Sequence, residues 1–180
     1  MLSYFALFAL IIMGVVGLAS QFELGRLYLE RRIRSIFVLA VSAVAGGALY
    51  LTLNQYELWR EDPLAKFLLP PYQDFNYFAL YSFTHFFAPY LVALAAALFL
   101  FFTMNALDKK FEERFFEKEE PYLAALSVFL VGHPGWLIYL VILILAYLIL
   151  HASRFILQRQ TSRLPLYHLW ASTAFIVILL

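Results

Sequence analysis

The chain contains no cysteine, which excludes disulfides, thiolate metal sites and cysteine nucleophiles. Charge is scarce as well. Only 14% of the 180 residues are Asp, Glu, Lys or Arg, against roughly a quarter in a soluble domain. No Lys or Arg precedes the first apolar run, so Met1 to Ser20 lacks the basic start of a cleavable signal. No charged residue lies deep inside an apolar run, which argues against proton-driven or voltage-driven transport. No phosphate loop, zinc-ligand spacing, nucleophile elbow or EF-hand pattern occurs. The expectation is a chain with no cofactor and no nucleic-acid partner.

What remains is hydrophobic: 64% of the residues, gathered into blocks long enough to span lipid. The blocks predict an all-α, polytopic membrane bundle of six transmembrane helices forming a single domain. The helices fall at about residues 2–20, 35–54, 76–106, 121–131, 136–152 and 164–180. Between the second and third lies a mixed segment, 55–75, where Tyr56, Trp59 and Tyr72 stand beside Arg60, Glu61, Asp62 and Lys66. Aromatic rings with one wet edge prefer the membrane interface, so a short amphipathic helix over Glu57 to Leu69 is expected on the outer surface. Pro70-Pro71 ends it, and Pro89 is expected to kink the long third helix.

The fourth segment, Pro121 to Val131, is short, about 17 Å if helical. Ten of the 25 charged residues crowd into the stretch before it, Asp108 to Glu120, and there the charge stops. If the short segment crosses, the loops 21–34, 107–120 and 153–163 share one side and hold eleven of the thirteen Lys and Arg. If it turns back, the split becomes eight to five. The positive-inside rule selects the crossing, which makes those loops cytoplasmic and both termini external. The location expected is the cell membrane, multi-pass, and the inner membrane in a bacterium.

Two acidic sites mark cytoplasmic helix ends, Glu23 after the first helix and Glu119/Glu120 before the fourth. Pro121 suits a first helical turn, and carboxylates before it complement the helix dipole. The run Phe116-Glu117-Lys118-Glu119-Glu120-Pro121-Tyr122-Leu123-Ala124-Ala125-Leu126-Ser127 resembles the G-x-G-D-x-K-L-L-A-A-L-G motif of the prepilin peptidases, membrane aspartyl proteases. Leu164-Pro165-Leu166 resembles their I-P-F-x-P before the last helix. The resemblance implies six helices and catalytic carboxylates at Glu23 and Glu119. Both motif glycines are absent and Glu stands where the family has Asp, so it implies a catalytically degenerate relative. A peptidase with substituted carboxylates is the alternative.

Four histidines form two layers, His85 and His133 toward the outer side, His151 and His168 toward the inner. That is the count a di-haem b-type membrane cytochrome needs, and it stands as a further alternative. On the second helix, Ser42/Gly46 and Ala43/Gly47 are small residues four apart, the spacing that lets another helix approach closely. Taken together, the residues point to a non-enzymatic integral membrane subunit. Its partners are the lipid bilayer and the other proteins of a larger membrane assembly.

Overall fold

A computed structural model describes residues 4–19, 22–111, 116–158 and 167–180 of the chain. The side chains of residues 4, 23–30, 155, 157, 158, 167 and 168 lie outside that description. Among the described residues there is no strand. Six helices carry the fold: α1 (Tyr4–Ala19), α2 (Glu23–Glu61), α3 (Phe75–Lys110), α4 (Glu120–Val131), α5 (Gly135–Gln158) and α6 (Tyr167–Leu179). Three contain stretches long and apolar enough to cross a membrane: Arg31–Glu61, Phe75–Lys110 and Gly135–Arg154.

The short helix is the centre. α4 packs against α1, α2, α3, α5 and α6. Ten of its twelve residues are buried; only Tyr122 and Val131 are partly open. The sequence explains why so many neighbours fit. Ala124, Ala125 and Ser127 are small enough for close approach, and the bulkier residues between them interlock with the surrounding helices. Tyr122 meets Phe101 of α3 at 4.8 Å between ring centres, and Phe129 meets Phe37 of α2 edge-on at 6.3 Å.

Residues at its C-terminal end, Phe129 to Gly132, share a cavity with Phe5 of α1, His85 and Tyr90 of α3, and Val177 of α6. At the other end Tyr122 meets α3 near its C-terminus. So α4 runs antiparallel to α1 and α3. A three-residue turn, Gly132 to Pro134, reverses the chain into α5. The twenty-residue length rule holds for helices that face lipid. A helix enclosed by protein has no such requirement, because its ends are satisfied by other protein groups.

Gly132 makes the reversal. Its φ of +75° with ψ of 174° lies in a region that glycine alone adopts readily. Its N–H donates to the Val128 carbonyl at 3.3 Å, and its own carbonyl accepts from Trp136 N at 2.9 Å. An added Cβ would meet no atom within 4 Å, so the strain is purely conformational. Gly132→Ala is therefore expected to lower stability by about 1–3 kcal/mol, read as a fall in melting temperature in detergent. A melting temperature equal to the parent's would refute this.

Helix ends differ from the sequence expectations in physically simple ways. The basic segment 21–34 is not a loop from residue 23 onward, because α2 begins at Glu23 and runs unbroken to Glu61. No separate amphipathic helix covers Glu57 to Leu69. α2 ends where Pro63 forces Asp62 into an extended conformation, φ −73° and ψ 128°. Asp62 then accepts from Leu64 N at 2.8 Å and Ala65 N at 2.7 Å, which starts a 3-10 turn over Ala65–Leu68. Those two bonds, Ala65 first, hold its carboxyl below the usual aspartate range.

Tyr56 and Trp59 pack across the α2–α3 hairpin rather than along a surface helix, whereas Tyr72 packs on Phe67. Trp59 contacts Tyr77, Phe78 and Tyr81, and Tyr56 contacts Phe78. At Pro89 the helix widens instead of simply kinking. Residues Phe83–Phe87 form a π-turn in which Ala88 N donates to the Phe83 carbonyl. A wider turn relieves the clash of the Pro89 ring with the carbonyl four residues back. α3 continues to Lys110 and α5 to Gln158, so the loops starting at 107 and 153 begin later than expected. α6 begins at Tyr167, and residues 159–166 lie outside the described residues.

Candidate functional site

The chemistry-bearing end of the central helix is its N-terminus. Glu119 occupies the N-cap without a side-chain capping bond and is half-buried. Its carbonyl accepts from Tyr122 N at 3.1 Å and Leu123 N at 3.0 Å. Pro121 sits in the first turn, where a missing N–H costs nothing.

The fully buried carboxylate is the next residue, Glu120, at 0% exposure. Its Oε2 accepts from Glu117 N at 3.4 Å, and Asp108 Oδ1 accepts from Phe116 N at 3.2 Å. One carboxylate from each flanking helix thus holds the backbone of Phe116 and Glu117 just before α4. Glu120 also lies in the first turn of α4, at the positive end of the helix dipole. This arrangement fastens a loop. The sequence singled out Glu119 by motif alignment, but burial distinguishes Glu120, and only the packing around Pro121 reveals that. Glu23 opens α2, and its side chain lies outside the described residues. Aspartyl chemistry requires two carboxylates sharing a proton across a water.

The core carries further polar links that the sequence did not flag. Ser127 Oγ of α4 donates to Met13 Sδ of α1 at 3.8 Å. Tyr139 of α5, fully buried, donates its hydroxyl to the Trp170 carbonyl of α6 at 3.2 Å. A lone Ser or Tyr inside an apolar run is the available signal, but its partner is set by helix packing. These bonds fix register between helices whose apolar surfaces would otherwise slide.

Of the four histidines, His85 and His133 line one cavity of about 320 Å³ at the Gly132 end, and both are exposed. His85 Nδ1 lies 2.9 Å from the Tyr81 carbonyl, an atom that can only accept, so Nδ1 is the donor of this bond. The ring also stacks on Tyr81 at 4.0 Å. His151 is exposed and stacks on Tyr147 at 5.9 Å. The His168 side chain lies outside the described residues. Among the described residues, no three His, Cys, Asp or Glu side chains gather as a metal site would require.

The four small residues of α2 divide between two jobs. Gly47 faces inward, where a Cβ would come within 2.7 Å of the Phe5 ring of α1. Ser42, Ala43 and Gly46 are exposed, and a Cβ on Gly46 would meet nothing within 4 Å. No family model, curated protein or solved structure matches this chain.

Proposed function

We propose that the chain is a non-enzymatic integral membrane subunit that works by helix packing inside a larger membrane assembly. Six helices cross the bilayer with both termini external, and α4 crosses as a short helix enclosed by its neighbours. Two observations support the topology. Eleven of thirteen Lys and Arg fall to one side under this arrangement. The antiparallel run of α4 against α3 also agrees with a crossing. A reporter fused after Arg159 is expected to report cytoplasmic, and an external signal would overturn it.

The observation that carries the subunit reading is the outward small-residue face of α2. Ser42 and Gly46 leave a shallow strip on a helix otherwise studded with exposed Val38, Leu39, Leu49 and Leu53. Such a strip lets a second backbone come close. Gly46→Leu is expected to abolish co-purification of companion proteins from native membranes while leaving the melting temperature unchanged. Gly47→Leu is expected to lower the melting temperature, because it displaces Phe5. Companions retained by Gly46→Leu, or a chain that travels alone, would sink the proposal. A prepilin cleavage assay separates the peptidase-like alternative: cleavage lost in both Glu23→Gln and Glu119→Gln would replace the subunit reading.

A further inference from the structure

A cavity of about 390 Å³ opens sideways between α3 and α5 in the half of the bundle that holds Glu120. Its walls are Leu100, Met104 and Leu107 of α3 and Leu143, Ile144 and Leu148 of α5. These two helices flank α4 without packing closely on one another, which leaves the cleft. Ile144 and Leu148 are more than half exposed, so the opening faces outward along the helix sides.

Two features of the cleft point to an occupant. Trp170 of α6 lines it, and its indole Nε1 is buried with no hydrogen-bond partner among the described residues. An indole N–H enclosed by protein calls for an acceptor. Trp170 lies one turn from the start of α6, the depth at which tryptophan meets the headgroup and ester region of a bilayer. The second feature is charge. Cleft residues on α3 recur as 100, 103, 104 and 107, and that period continues to Lys110. On α5 they recur as 140, 143, 144, 147 and 148, which continues to His151 and Arg154. Each apolar wall therefore ends in a cation on the same helical face, at the same end of the bundle.

We propose that this cleft binds one anionic glycerophospholipid. An acyl chain fills the apolar groove against the Trp170 indole, and the anionic headgroup sits between Lys110 and Arg154. Two surface cations together are expected to give a preference of about thirtyfold for an anionic over a zwitterionic lipid headgroup. The proposal rests on the membrane reading above, and flotation with vesicles tests that reading separately.

The first measurement uses the unaltered protein. Native mass spectrometry from detergent containing equal phosphatidylglycerol and phosphatidylcholine is expected to show one retained phosphatidylglycerol. Equal retention of both lipids, or of neither, overturns the proposal. The second uses Trp59→Phe/Trp136→Phe, which leaves Trp170 as the sole tryptophan, in vesicles with brominated acyl chains. Half-maximal quenching is expected at about thirtyfold lower mole fraction of brominated phosphatidylglycerol than of brominated phosphatidylcholine. Adding Lys110→Gln and Arg154→Gln is expected to bring the two lipids level. A preference that survives those changes overturns the headgroup assignment. Protein that floats with both vesicle types yet shows no preference overturns the site while leaving the membrane reading intact.

Discussion

Phe129→Ala is expected to cost about 3–5 kcal/mol of stability, whereas Phe99→Ala, the same chemical change, is expected to be nearly neutral, within about 0.5 kcal/mol. Phe129 is 2% exposed, in the centre of the bundle with its ring edge against Phe37. Phe99 is 74% exposed on the outer face of α3. In lipid both side chains are surrounded by hydrocarbon whether or not the helices are assembled, so hydrophobic transfer alone separates them little. The difference is packing. Truncating Phe129 leaves a void that α2 and α4 cannot both close, and the dispersion contacts are lost. Thermal melting of the two variants in one detergent checks this. Equal losses would show that α4 is not the enclosed centre of the bundle.

Glu120→Lys is expected to prevent accumulation of folded protein, with a loss of several kcal/mol. The substitution would place a positive charge at the positive end of the α4 dipole, in a position with 0% exposure. It would also remove the acceptor for Glu117 N–H. Glu120→Gln keeps an acceptor of the same shape and is expected to cost only about 1 kcal/mol. Yield and melting temperature read both. A Lys variant that melts like the parent would mean that this end of α4 is open to water, and the loop-fastening role would fall.

Much of the fold was legible in the residues. Blocks of apolar sequence are the direct signature of helices surrounded by hydrocarbon, because backbone polar groups there must be satisfied within the helix. The six apolar helices appear at the positions where those blocks lie, and the Gly132 to Gly135 turn appears where its residues demand one. Helix ends were less legible. They depend on single residues acting on the backbone, as when α2 runs past the expected end at residue 54 until Pro63 stops it after Glu61. The π-turn before Pro89 is a compromise between helix continuity and a steric clash, and composition carries no sign of it.

The candidate site was legible only in outline. Glu119 and Glu120 are adjacent acids before a proline, alike in every local signal, yet one is half-buried and the other wholly enclosed. Likewise Gly46 and Gly47 are neighbours of one type, one facing open space and the other pressed against Phe5. A step of one residue turns a helix face by about 100°. Which face meets a neighbour is a property of six helices together. Trp170 became informative only when its indole was found without a partner beside a cleft.

By itself, then, the sequence determined the helical class and the positions of the apolar segments, because both follow from how side chains partition between water and hydrocarbon. Tertiary structure alone decided that the shortest helix is the centre. An eleven-residue apolar run reads as too short to span lipid, and that reading assumes lipid around it. Here five helices surround it instead, and enclosure by protein lifts the length requirement that hydrocarbon would impose.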